Sequence, residues 1–292
     1  MSTLIQDLRY AVRTLIRTPA FTIVVVLTLA LGIGANTAIF SLMDQVLLRL
    51  LPVKDPRELV QLDGPGTFRG RTSNARTFSH PMYRDLRDRN DVFTGLVARA
   101  PATATLTYRG QTERVDAELI SGNTFAVLGV QPMLGRALTN DDDRAPGAHP
   151  VAVLSYAFWQ RRFAGDPSIL NQVMTINSTP MTVVGVAPKG FAGIVSTTAP
   201  DLFVPIMMKA EMTPTWNDLD NRQSRWLNIV GRLKPRLTAE TAKPQLDVLY
   251  RQINEYELVA VPGFAAASPA FKDRFRAKQL DLYPAGRGLS DV

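Results

Sequence analysis

The chain has 292 residues, 46% of them hydrophobic, and 33 Lys and Arg against 26 Asp and Glu give a net charge of +7. The basic residues are interspersed with acids and form no basic helix, which argues against a nucleic-acid partner. With no cysteine in the sequence, disulfides, thiolate zinc sites and thiol catalysis are all excluded.

Residues 1–18 place Leu4, Ile5, Leu8, Val12, Leu15 and Ile16 on one helical face, with Arg9, Arg13 and Arg17 recurring every fourth residue on another. This pattern predicts an amphipathic helix lying in a membrane interface, its basic face toward lipid headgroups. From Ala20 to Met43 there is no charged residue, a run of ~36 Å at 1.5 Å per helical residue. That exceeds a hydrocarbon core of about 30 Å, and the apolar region of a signal peptide is typically only about 7–15 residues. A buried core helix would carry a polar stripe, whereas Phe21 to Phe40 shows only scattered Thr and one Asn. Residues 19–43 are therefore expected to span a membrane.

Ala30, Gly34 and Ala38 fall four apart on one face of this span, the spacing that lets a second helix approach its backbone. Asn36, Thr37 and Ser41 add side chains able to bond across helices or back to their own helix. Residues 44–51 are expected to prolong the helix as a stalk. Orientation is nearly undecided by charge: Arg9, Arg13 and Arg17 precede the span, and Arg49, Lys54 and Arg57 follow it.

After Pro52 the pattern is mixed. "ELVQL" at 58–62 reads as a strand and "DGPGTFRGRTSNAR" as a loop. Ser79 is an N-cap, with Pro81 early in a short helix through Met82, Leu86 and Arg89. Ala104, Leu106 and Tyr108 alternate, Arg109-Gly110 turns the chain, and Val115, Ala117 and Leu119 alternate on return. Ser155 caps the helix "YAFWQRRF". A second hairpin joins "QVMTIN" to "MTVVGVA" through Asn177, Ser178, Thr179 and Pro180. "WLNIVGRLK" reads as a strand. A helix from Thr238 to near Glu257 carries Leu246, Leu249, Tyr250 and Ile253 inward, with Pro244 expected to bend or fray its first turn.

No G-x-x-x-x-G-K-[ST] occurs, so the sequence holds no nucleotide-binding loop of that kind. Asp141, Asp142 and Asp143 are adjacent, without the spacing that wraps a hard cation, and read as a solvated turn. His80 and His149 belong to no metal or triad pattern and read as surface or capping residues. Phe158, Trp159 and Phe163 read as core. Neither a catalytic group nor a cofactor site is expected.

The run "LTLALGIGANTAIFSLMDQVLLRLLP", Leu27 to Pro52, resembles the first membrane helix of permeases related to the MacB exporter and to FtsX, in particular the duplicated permeases without a fused ATPase. "ISGNTFAVLGVQPMLGRAL", "VLSYAFWQRRFAGDPSILNQVMTINSTPMTVVGVAPKGF" and "WLNIVGRLKPRLTAETAKPQLDVLYRQI" are similar to the same family, in the same order. The resemblance implies an α+β fold: one N-terminal transmembrane helix, then a mixed extracytoplasmic domain over 52–292. In that domain about 52–115 and 220–292 would form a βαβ-type subdomain, and 116–219 an inserted, mainly β subdomain.

It further implies a cytoplasmic N-terminus, residence in the cell inner membrane, and a part in efflux that carries motion from a separate ABC ATPase subunit. Further permease helices or a second permease copy would complete the pathway, since Val292 is reached before a second apolar run. The alternative is a single-span anchored binding or interaction domain with no transport activity of its own.

Overall fold

The computed structural model describes residues 6, 10, 13, 15, 17–43, 50–64, 67–68, 71–72, 76–195 and 198–289. The chain divides into two units, 1–49 and 50–292.

In the first unit Gln6, Tyr10, Arg13, Leu15 and Arg17 are helical. Helix α1, Pro19–Met43, follows; Pro19 opens it, where a missing N–H costs nothing. Three of its threonines bond back to the helix itself: the Thr22, Thr28 and Thr37 hydroxyls donate to the carbonyls of Thr18, Val24 and Ile33 at 3.0, 2.8 and 2.8 Å. Six residues of the expected stalk, 44–49, lie outside the described residues, and at Leu50 and Leu51 the chain is not helical.

In the second unit the elements run β1 (Leu59–Asp63), β2 (Thr67–Phe68), β3 (Arg71–Thr72), α2 (His80–Arg89), β4 (Phe93–Tyr108), β5 (Gln111–Ile120), α3 (Thr124–Leu128), β6 (Leu134–Gly135) and β7 (Val151–Leu154). They continue with α4 (Tyr156–Phe163), β8 (Val173–Ile176), β9 (Thr179–Val186), β10 (Leu202–Pro205), α5 (Lys209–Met212), β11 (Asn228–Leu233), α6 (Ala239–Ala260), α7 (Pro262–Ala265), α8 (Pro269–Arg276) and β12 (Asp281–Pro284). The loop expected between β1 and α2 lies partly outside the described residues.

The main sheet has the order β12-β1-β11-β4-β5-β10-β7-β9-β6, with β8 pairing both β4 and β9. That double pairing closes a ring. β4 bonds β5, β5 bonds β10, β10 bonds β7, β7 bonds β9, β9 bonds β8, and β8 returns to β4 at Leu106↔Ile176. Strand alternation fills the ring: Ala104, Leu106, Val115, Ala117, Ala152, Leu154, Met174, Ile176, Met181, Val183, Leu202 and Val204 all belong to one buried cluster.

β4 is long enough to serve both halves of the sheet: its residues 93–99 pair with β11 and its far end with β5 and β8. Helices α2 and α6 supply Met82, Leu86, Leu246, Tyr250 and Ile253 to the same cluster. A second cluster holds Leu59, Val97 and Val230 together with Phe125 and Leu128 of α3.

Caps and turns follow sequence chemistry. Ser79 and Ser155 accept from the Met82 and Phe158 amides at 3.3 and 3.2 Å. Arg109 and Gly110 both have positive φ, 49° and 77°, the two-residue turn whose twist matches an antiparallel pair. The second hairpin corrects the expected loop: Asn177 and Ser178, φ 44° and 69°, make the turn alone, and Thr179 and Pro180 are already in β9 facing Ile176 and Thr175. Pro244 lies inside α6 without fraying its first turn, which is helical from Ala239 and held by a Thr238–Thr241 capping box.

Candidate functional site

Along α1, Pro19–Phe40 is long and apolar enough to cross a membrane, and none of it is buried. Ala30, Gly34 and Ala38 are exposed, and successive members sit ~40° apart around the axis by helical geometry. A Cβ added at Gly34 would meet no atom within 4 Å, so its backbone is open to a neighbour. Arg13 and Arg17 are exposed and Arg9 lies outside the described residues.

The other sequence-flagged residues are structural. Asn140–Asp143 is a short 3-10 turn in which only Asp141 of the three aspartates is exposed, so the solvated reading holds for Asp141 and not for Asp142. Asp142 is buried, takes both Nη atoms of Arg136 at 2.6 and 2.9 Å, and accepts from the Thr139 amide at 2.9 Å; these bonds hold its carboxyl below the usual range despite burial. Asp143 accepts from the amides of Gly122 and Met207 at 3.1 and 3.0 Å, tying the ends of β5 and β10 together, while burial pushes its pKa up to about 6.

His80 is not a surface residue: it is buried, its Nδ1 lies 3.1 Å from the Leu219 carbonyl oxygen, and burial lowers its pKa to about 4. His149 is exposed. Phe158 and Trp159 are buried core, as expected. Among the described residues no group of His, Asp and Glu is arranged to hold a metal.

Two buried arginines that sequence reasoning passed over organise the domain. Where β4 leaves β11 for β5, Arg99 and Glu118 form an ion pair of 2.7 Å with side chains only 5% and 3% exposed. Arg99 also donates to the Asn228 side-chain oxygen at 3.3 Å, which links the pair to β11. This pair lines a cavity of about 660 Å³ with Pro101, Ala102, Asp116 and Ala117.

The second arginine, Arg232 of β11, is buried against the start of the domain. It donates to Val127 O at 2.8 Å, to Asp55 O at 3.0 Å, to Glu58 Oε2 at 3.1 Å, and to Lys54 O. The only signal of either residue in the sequence is a single charge inside an otherwise apolar strand, in "GLVARAPA" and in "NIVGRL".

The family model of the MacB-like periplasmic core domain matches residues 22–249. The chain belongs to this family. Among curated proteins, the macrolide export ATP-binding/permease protein MacB of Campylobacter jejuni is 25% identical over 183 residues, covering 62% of this chain and 27% of that protein. The chain thus spans about a quarter of the length of the curated relative it matches.

Among solved structures, the MacB periplasmic region of Actinobacillus actinomycetemcomitans is similar at a TM-score of 0.51 and 15% identity, over 80% of this chain and 92% of that one. A domain of a putative permease from Porphyromonas gingivalis gives a TM-score of 0.55 at 14% identity, over 80% and 91%. The extracellular domain of the noncanonic ABC-type transporter YknZ from Gram-positive bacteria gives 0.50 at 18%, over 68% and 94%. At these identities the structural likeness concerns the fold. The family match and the unburied apolar helix together make this a MacB-like periplasmic core domain of the ABC permease type, preceded by a candidate membrane span.

Proposed function

We propose that the chain is the N-terminal part of an ABC-type efflux permease subunit that carries motion between a cytoplasmic ATPase and an extracytoplasmic domain. One observation carries the reading: an uncovered apolar helix of 25 residues precedes a domain of the MacB-like periplasmic core family. The Campylobacter relative is named as both ATP-binding protein and permease. These 292 residues hold no phosphate-binding loop of the Walker type, and in this reading the ATPase is a separate subunit.

In this reading the N-terminus is cytoplasmic, residues from about 52 onward are extracytoplasmic, and Arg9, Arg13 and Arg17 face lipid headgroups. The face of Ala30, Gly34 and Ala38 packs against further permease helices or a second copy. Residues near 52–115 with 220–292 form one lobe and 116–219 the inserted lobe; that β7, β8, β9 and β10 of the ring all fall within 116–219, and β1, β11 and β12 outside it, supports this division. The chain's own residues perform no catalysis and hold no cofactor.

The test is capture of the tagged full chain from detergent-solubilised membranes of its own host, followed by mass spectrometry. The expected result is co-recovery of an ABC ATPase and of permease helices. Recovery of a membrane-embedded chain with neither refutes the reading and leaves the anchored binding domain.

A further inference from the structure

The segment that leads the chain into the domain is held far more firmly than a connection needs to be. Lys54 donates to the Leu128 carbonyl at the end of α3 at 3.0 Å, and Leu51 donates to Gly286 O at 2.8 Å. Leu51 and Val53 pack on the second core cluster. Gly129, at φ +67°, has no room for a Cβ, which would fall 2.6 Å from Lys54 Cβ. At the centre, Arg232 directs one guanidinium to four acceptors: Val127 O on one side, and Lys54 O, Asp55 O and the Glu58 carboxylate on the other.

Two consecutive carbonyls point in opposite directions in extended chain. Here both reach the same cation because Asp55 adopts the left-handed conformation, φ 40° and ψ 60°, one of the few non-glycine types to do so readily. Arg232 also stands opposite Leu59 in the register of β11 and β1, so the clamp closes where the lead-in segment becomes sheet. A planar fork of five donors suits this array, and a lysine cannot reproduce it.

We propose that Arg232 is a positioning residue for coupling: it makes residues 54–58 one rigid body with β11, so that movement arriving along the chain from α1 is delivered to the sheet instead of being absorbed in a slack connection. The inference rests on the coupling reading above, and adds the residue that transmits.

The experiment uses the full chain in lipid nanodiscs with the ATPase captured alongside it. By hydrogen exchange, the Lys54 and Glu58 amides of the wild type exchange as slowly as β1. In Arg232→Met they exchange at least about tenfold faster, with β4 and β5 unchanged, because local opening no longer has to break the guanidinium's bonds.

ATP added to the wild-type complex alters exchange in β11 and β4; in Arg232→Met that response disappears although the ATPase still co-purifies. Arg232→Lys gives an intermediate response and serves in its place should the Met variant fail to fold. Unchanged exchange at 54–58, or an ATP response of wild-type size in both variants, overturns the proposal. A wild-type capture without any ATPase refutes the coupling reading itself, and the proposal with it.

Discussion

Replacing Glu118 by Gln should be strongly destabilising although it is near-isosteric. The substitution keeps volume and one acceptor oxygen but removes the negative charge, so the Arg99 cation, 5% exposed, faces neutral amide oxygens, the new one and that of Asn228. Breaking a buried pair by removing one partner costs about 3–5 kcal/mol, because the remaining charge stays desolvated. For a domain of this size each kcal/mol moves the melting midpoint by roughly 2–4 °C, so a fall of about 10 °C is expected.

The assay is thermal unfolding of residues 50–292 followed by circular dichroism. That unit holds its own two large buried clusters and is expected to melt cooperatively without the span. Arg99→Met with Glu118→Leu removes both charges together, and should return to within about 2 °C of the wild type or above it. A single variant that melts with the wild type, or a double variant as damaged as the single one, would refute the reasoning.

Two titrating groups, His80 buried and Asp143 half-buried, act in opposite senses on acid stability. His80, lowered from 6.5 to about 4, gives stability present above pH 6.5 and lost as pH falls toward 4. That amounts to about 2 kcal/mol between pH 7 and 5 at 1.36 kcal/mol per unit. Asp143, raised from 3.8 to about 6, gives stability present below pH 3.8 and lost as pH rises through 6. In urea titrations across pH 4–7, His80→Asn should therefore flatten the acid loss and Asp143→Asn should steepen it; parallel curves for both would contradict the assignments.

Gly34→Leu should weaken crosslinking of α1 to permease partners, whereas Val25→Leu, on the opposite face, should not; equal crosslinking would make the helix a passive anchor. In a chain without cysteine, Ala270→Cys on exposed α8 should react with a membrane-impermeant maleimide in cells whose outer membrane has been permeabilised. Labelling only after lysis would reverse the topology.

Local chemistry was readable wherever a few neighbouring residues decide the outcome. Ser79, Ser155 and Thr238 announce helix starts because a side-chain oxygen meets an amide three residues on. Arg109-Gly110 announces a turn because its neighbours alternate. What escaped depends on distant partners. Asp142 looks solvated until Arg136 forks onto it, and His80 looks exposed until Leu219, far along the chain, covers it. The return of β8 to β4 could not be foreseen either, because a single ladder of two residue pairs, at Leu106 and Thr107, leaves no periodicity of its own. Arg99 and Arg232 were visible only as odd charges within apolar strands, a signal that says a partner exists without saying where.

The closed ring has a consequence for assembly in a crowded compartment. Where a strand of the ring is hydrogen-bonded on both sides, as β5 is over Ala117–Ile120 between β4 and β10, it cannot recruit another chain. In the main sheet the terminal strands are β12 and β6, and β6 is only two residues long. β12 begins with Asp281 and ends with Pro284, a charge and a residue without an N–H, which are the features that discourage strand addition. The two ends of this sheet are thus poor templates for backbone ladders, and a neighbouring molecule would meet them through side chains and loops.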